Sequence, residues 1–269
     1  MSAAIKTLTH LIVLLVLVQC AVCSAQSDDG EDRAKQAPGR FLLDLSYTDT
    51  DSFEGVIDVF SPGFTWLVRP DLRVGISTTY VYFNPSDEAE MAFEDISSHR
   101  GLGDSVFYPQ YDWGDRLTAS PWVPDTLGTV VSVLAPTGEA ENFLGGDTWA
   151  ASLSSSWPIF IEERWLLNPA IAYLFSFNEG PLAEYLNVAE VGLGIVRLFP
   201  SDFWISFTPT AWYDFDDNGW NYDSHLTVGK LFSNGMGIGL DYGRTTRHSF
   251  IRARDDRNVL INFYYQFGQ

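Results

Sequence analysis

The chain is expected to fold as an all-β protein, an up-and-down antiparallel transmembrane barrel of about twelve strands. Three observations lead there. In the C-terminal stretch Val259, Ile261, Phe263, Tyr265 and Phe267 alternate with Asn258, Leu260, Asn262, Tyr264 and Gln266, which gives one apolar, aromatic-ended face and one mostly polar face, because successive strand side chains point to opposite sides. The N-terminus carries an export signal, and the segments between repeat at strand length with short and long connections in turn. A soluble antiparallel sheet can show the alternation alone; the combination is the signature of an outer-membrane barrel.

Lys6 supplies the positive n-region, Leu11 to Val18 the apolar core, and Cys23-Ser24-Ala25 the small residues at the cleavage position. Residues 1–25 therefore read as a signal peptide for Sec-type export, with Gln26 the first mature residue. The apolar run is too short to cross a bilayer as a helix, and no later segment approaches the ~18 apolar residues required, so a membrane-embedded form must be a barrel. The expected location is the outer membrane of a Gram-negative bacterium. Cys20 and Cys23 both leave with the signal, which excludes disulfides and zinc-thiolate sites. The residues preceding each cysteine fit a lipidation site poorly. Residues 26–40 are polar and acidic without periodicity and read as a disordered periplasmic tail, leaving 41–269 for the barrel.

Cleavage removes Lys6 alone among the charged residues, so fifteen basic residues face 35 acidic ones and the mature chain carries a formal charge of −20. Such acidity excludes nucleic acid as a partner, which needs basic patches. Aromatic residues make up 15% of the chain, and no helix-period apolar run follows residue 25.

Twelve strands are expected at about 41–49, 54–68, 73–84, 103–113, 126–135, 148–159, 165–177, 186–198, 203–214, 222–232, 236–247 and 257–267. Tight connections at 69–72, 160–164, 200–202 and 233–235 alternate with longer ones at 84–102, 136–147, 178–185, 216–221 and 248–256, as periplasmic turns and extracellular loops do. The connection 114–125 is long where a tight turn is due. If Ser233-Asn234-Gly235 forms a three-residue hairpin, Phe232 pairs with Met236. Leu226, Val228, Lys230, Ile238, Leu240 and Tyr242 then face outward, and His225, Thr227, Gly229, Gly237, Gly239, Asp241, Gly243, Thr245 and Arg247 inward. Trp149 and Trp157 share the outward parity about 20 Å apart along the axis, and Trp165 and Phe175 repeat the arrangement, consistent with two interfacial aromatic girdles.

Gly101-Leu102-Gly103-Asp104 and Val133-Leu134-Ala135-Pro136-Thr137-Gly138 have a structural reading. The glycines allow tight re-entry from a long loop, Asp104 can bond nearby amides, and Pro136-Thr137-Gly138 stops a strand and turns. A phosphate cradle would need the lysine and hydroxyl residue of a P-loop, which are missing. With the strand spacing around them, the two segments resemble the outer-membrane barrel family associated with meta-cleavage phenol-degradation pathways, many of whose members are described as transporters. The chain departs from that family in carrying Gly268 and Gln269 after the final aromatic. The resemblance covers most of 54–267 and implies a barrel engaged in uptake of small hydrophobic or aromatic molecules, with no catalytic residues to carry over.

Ser224 and His225 are adjacent in a strand and so point to opposite faces. His99 and His248 lie beside Ser98 and Ser249 in loops, without nucleophile-elbow or metal-binding spacing. The chain is accordingly read as non-enzymatic, with no cofactor and no metal; the acid-rich loop holding Asp87, Glu88, Glu90, Glu94 and Asp95 lacks EF-hand spacing. Arg244, Arg247, Arg252, Arg254 and Arg257 concentrate basic charge in the last extracellular loop and its flanks, suited to lipopolysaccharide phosphates or to pairing with the acidic loops. The lumen candidates are Asp223, His225, Asp241 and Arg247, with Asp223 expected to pair with Arg247 and Asp241 to remain uncompensated. The reading is an outer-membrane channel or facilitator for passive passage of a small solute, in contact with outer-membrane lipid and lipopolysaccharide. The alternatives are a barrel enzyme acting on those lipids and a closed structural barrel, and the loop 84–102 is the candidate plug.

Overall fold

The computed structural model describes residues 41–52, 55–86, 97–113, 127–138, 144, 147–161, 164–179, 185–233, 236–248 and 253–267; the signal segment and the acidic tail lie outside them. Among these residues the chain is entirely strand and connection, in the order β1 (Phe41–Ser52), β2 (Gly55–Arg69), β3 (Leu72–Pro85), β4 (His99–Asp112), β5 (Gly128–Ala135), β6 (Thr148–Ser156), β7 (Ile159–Ile161), β8 (Trp165–Glu179), β9 (Asn187–Leu198), β10 (Phe203–Asp214), β11 (Gly219–Leu231), β12 (Met236–His248) and β13 (Ala253–Phe267). β6 and β7 are two pieces of one stave, since both pair with β8. Pro158 has no N–H for the ladder, and Trp157 N bridges the break by bonding Pro169 O at 3.1 Å.

β1 pairs with β13 and β6 with β8, so every stave has two neighbours and the sheet closes into a twelve-stave antiparallel barrel. Closure satisfies the backbone groups that an open edge would leave bare to lipid. The strands alternate as their sequences dictate. Ile76, Leu153, Ile171, Val191, Phe207, Leu226, Leu240 and Ile261 are exposed on the outer wall, with aromatic clusters above and below them. At the long-connection end Tyr213 packs edge-on against Phe215 and Trp220, and Tyr173 stacks on Phe175. At the tight-turn end Phe41 stacks on Phe64 and Trp66, while Arg197 lies over Trp165. Trp149, Trp165 and Phe175 are exposed as expected, and Trp157 sits half-buried at the stave break.

All twelve expected strands are present, and the expected hairpin register holds: Phe232 N bonds Met236 O at 2.8 Å, and Asp223 stands opposite Thr245. The connections differ more. β11 begins at Gly219, so the turn after β10 is only 215–218, and β13 begins at Ala253, which shortens the last loop. Strand pairing at the long-connection end carries on beyond the ~9–11 residues a bilayer needs, into polar sequence that hydropathy assigns to loops. The connection 114–125 lies outside the described residues.

Candidate functional site

Inward side chains of β2 to β10 combine an apolar cluster with buried polar residues such as Gln110, Ser132, Ser152, Ser154 and Asn168, whereas those of β11 to β1 near the middle of the wall are mainly polar. Ile57, Val59, Val81, Phe83, Val106, Leu134, Leu144, Leu174, Leu186, Val188 and Trp212 form one contiguous apolar cluster from β2 round to β10. The staves β11, β12, β13 and β1 instead present Asp223, His225, Thr227, Asp241, Thr245, Asn258, Thr48 and Thr50, all buried. The boundary follows the ladder: His225 stands opposite Gly243, Gly243 opposite Asn258, Asn258 opposite Thr50, and Thr50 opposite Ile57, where the wall turns apolar.

The two sequence motifs meet at the apolar cluster. Between Thr78 and Tyr80 of β3 the register against β4 shifts, so that Gly103 and Asp104 both oppose Thr79, a β-bulge that turns both inward. The glycines thus lie within a strand that already starts at His99, and their service is close approach, not the expected re-entry from a loop. A Cβ on Gly103 would strike Thr79 Oγ1 and Leu144 O, one on Gly101 would strike Leu144 Cδ1, and one on Gly138 would strike Leu144 O and Gly103 Cα. Thr137 Oγ1 donates to Gly103 O at 2.8 Å, and Gly138 N donates to Asp104 Oδ1 at 3.1 Å. Pro136, Thr137 and Gly138 are therefore latched to Gly101, Gly103 and Asp104, and the latch carries Leu144, 2% exposed, into the interior. Of the expected plug 84–102, residues 87–96 lie outside the described set, whereas Leu144 of the connection 136–147 packs into the barrel interior.

On β11 His225 is clamped between two acids. Its Nδ1 lies 2.5 Å from Asp241 Oδ1 and its Nε2 2.8 Å from Asp223 Oδ2. Thr227 Oγ1 donates to Asp241 Oδ2 at 2.5 Å and Thr245 Oγ1 to Asp223 Oδ1 at 3.2 Å. The local sequence explains the clamp: Asp223 is one inward position from His225 on β11, Asp241 one inward position from its partner on β12, and that partner, Gly243, leaves room for the ring. Each contact needs one proton. Whether an imidazolium faces two carboxylates or a neutral ring shares them with one protonated acid, the three groups hold a net charge of −1. Asp241 is therefore engaged, where it was expected to be uncompensated, and Asp223 pairs with His225; the side chain of Arg247, its expected partner, lies outside the described set.

Both nitrogens of His225 are occupied by acids, and Thr227 donates to Asp241. His99 bonds the exposed Ser97 at 3.1 Å, not Ser98. Arg244 and Arg257 stand directly opposite one another across β12 and β13, exposed on the outer wall. Arg252 and the side chain of Arg254 lie outside the described set.

Several residues at the site were not singled out from sequence. Glu190, inward on β9, lies within electrostatic reach of Asp223. Asn258 Oδ1, Thr48 Oγ1 and Thr50 Oγ1 are buried without a hydrogen-bond partner, each a cost of about 1–3 kcal/mol if left bare. Inward parity was the available signal for all four. Leu144 had none, since its place depends on how the loop folds.

The sequence matches no protein-family model and no curated protein. In structure the chain is similar to the COG4313 outer membrane channel from Pseudomonas putida F1, at 14% identity over 86% of this chain and 97% of that one, with a TM-score of 0.67. It is also similar to the translocator domain of the autotransporter NalP from Neisseria meningitidis, at 11% identity over 99% and 100% with a TM-score of 0.53. A third likeness is to the KdgM porin in complex with disordered oligogalacturonate, at 9% identity over 84% and 99% with a TM-score of 0.53. The common property is the fold, that of the outer-membrane barrels.

Proposed function

We propose that this chain is an outer-membrane channel for passive entry of a small hydrophobic or aromatic solute. The observation that carries the reading is the apolar cluster inside a closed barrel, narrowed by Leu144 through the latch between β4 and the 136–147 connection. A barrel stabilised only as a shell has no need of a loop residue seated within it. Resemblance of the latch segments to the phenol-degradation barrels, and likeness in fold to a COG4313 channel, support the same direction. In this reading residues 1–25 direct Sec-type export and are removed, residues 26–40 form a periplasmic tail, and the long connections face outward. The exposed Arg244 and Arg257 then contact lipopolysaccharide phosphates.

Two measurements, one on the purified protein and one on cells, test the function. Reconstitution in planar bilayers should give discrete conductance steps. Cells with intact lipopolysaccharide should take up labelled toluene several-fold faster when they make the protein. Absence of both would favour a closed structural barrel.

A further inference from the structure

We propose that the polar groups of β11 to β1, with Glu190 of β9, form a recognition site for an organic cation, an ammonium group carried on an apolar body that packs against the apolar cluster. Charge is the first argument. Asp223, His225 and Asp241 together hold −1, and Glu190, which faces Asp223 and has no hydrogen-bond or cationic partner among the described residues, adds another acid. Of the strand lysines and arginines, Arg73 points inward and meets Asp112 at 3.5 Å at the tight-turn end, while Arg247 and Arg254 hold inward register positions on β12 and β13 with side chains outside the described set. Arg100, Arg197, Lys230, Arg244 and Arg257 occupy outward positions.

The second argument is independent of charge. Asn258 Oδ1, in a residue 4% exposed, accepts no hydrogen bond. It sits over Gly243, where a Cβ would strike both it and His225 Cε1, so this orphan acceptor points into the acid cluster. Thr50, its direct partner across the ladder, and Thr48 one inward position on are 2% exposed and equally unpartnered. A row of amide and hydroxyl oxygens beside excess negative charge suits a group that is both a cation and a hydrogen-bond donor, which an ammonium is and a quaternary amine is not. Apolar side chains adjoin these groups, Ile57 opposite Thr50 and Trp212 on β10 between Glu190 and the acids of β11, so the head must be attached to an apolar body. The proposal uses the channel reading for its purpose, but the binding itself does not depend on conduction.

Calorimetric titration of the folded, detergent-solubilised barrel with 2-phenylethylammonium and with 2-phenylethanol, two probes of similar shape and different charge, tests it. The ammonium should bind at least tenfold more tightly than the alcohol. Glu190→Gln, which breaks no hydrogen bond among the described residues, should cut that preference several-fold, and Asn258→Leu should weaken the ammonium while sparing the alcohol. Heat-modifiable gel mobility verifies that each variant is folded. Equal affinity for the two probes would overturn the proposal, as would a preference untouched by both substitutions. A preference that emerges only in Arg247→Ala would also overturn it, because the site would then belong to the chain's own arginine. Binding as expected in a protein that gives no conductance would retain the site and reject the channel.

Discussion

Removing the imidazole of His225 would leave the carboxylates of Asp223 and Asp241 facing one another across a gap that no described cation reaches. Breaking a buried ion pair from one side costs about 3–5 kcal/mol, because the remaining charge stays desolvated. His225→Ala should therefore destabilise the barrel by that order in urea titrations of the protein folded into lipid vesicles. Adding Asp241→Asn should recover a substantial part of the loss. A His225→Ala cost within experimental error of zero would mean that water reaches the clamp freely. At the latch, Gly103→Val should displace the Leu144 carbonyl and cost about 1–3 kcal/mol by overpacking, with a larger single-channel conductance as the readout that separates an opened latch from simple damage. Residue-level prediction from the sequence reached the inward facing of His225, Asp223 and Asp241 because facing follows from parity. It missed their mutual bonding because Gly243, opposite His225, was counted as lining and not as space for a ring.

At the scale of the strand, the alternation that made β13 legible also fixes what it tolerates. Ile261 is exposed on the outer wall opposite Leu240 and Tyr47, midway between the two aromatic clusters. Ile261→Arg should cost ~2–4 kcal/mol in the membrane-folded state, the penalty for arginine near the bilayer midplane. Ile238→Arg should cost less, because Ile238 stands opposite Lys230 near the tight-turn end, where a long side chain can snorkel. The vesicle titration ranks the two, and a reversed order would shift the bilayer along the barrel. Strand positions were readable because a lipid-facing apolar row and a lumen-facing mixed row differ in every second residue. Strand ends were not: pairing at 219–221 and 253–256 runs through Gly, Asn and Asp, residues that local propensity assigns to turns. The stave break at Trp157-Pro158 was legible in principle, since proline cannot donate to a central ladder.

For the whole barrel, the channel reading assigns size of the path and choice of ion to different groups of side chains. Leu144 belongs to the apolar cluster and carries no charge, whereas Glu190 and the clamp hold acids. In asymmetric potassium chloride the wild-type pore should prefer potassium. The net charge of −20 on the mature chain strengthens that preference at 0.01 M salt, where the screening length is ~30 Å, and weakens it at 1 M, where it is ~3 Å. Leu144→Ala should raise single-channel conductance and leave the reversal potential nearly unchanged. Glu190→Gln should do the converse, moving the reversal potential towards zero with little change in conductance. Asp241→Asn should move it less than Glu190→Gln, because Asp241 already shares a proton with His225 and a hydroxyl with Thr227. The sequence alone led to Asp241 as the free acid and did not single out Glu190. An anion-selective wild-type pore would instead assign the entrance to the arginines of the last loop, and a Leu144→Ala variant with altered selectivity would mean that the two groups act on the same ion at the same place.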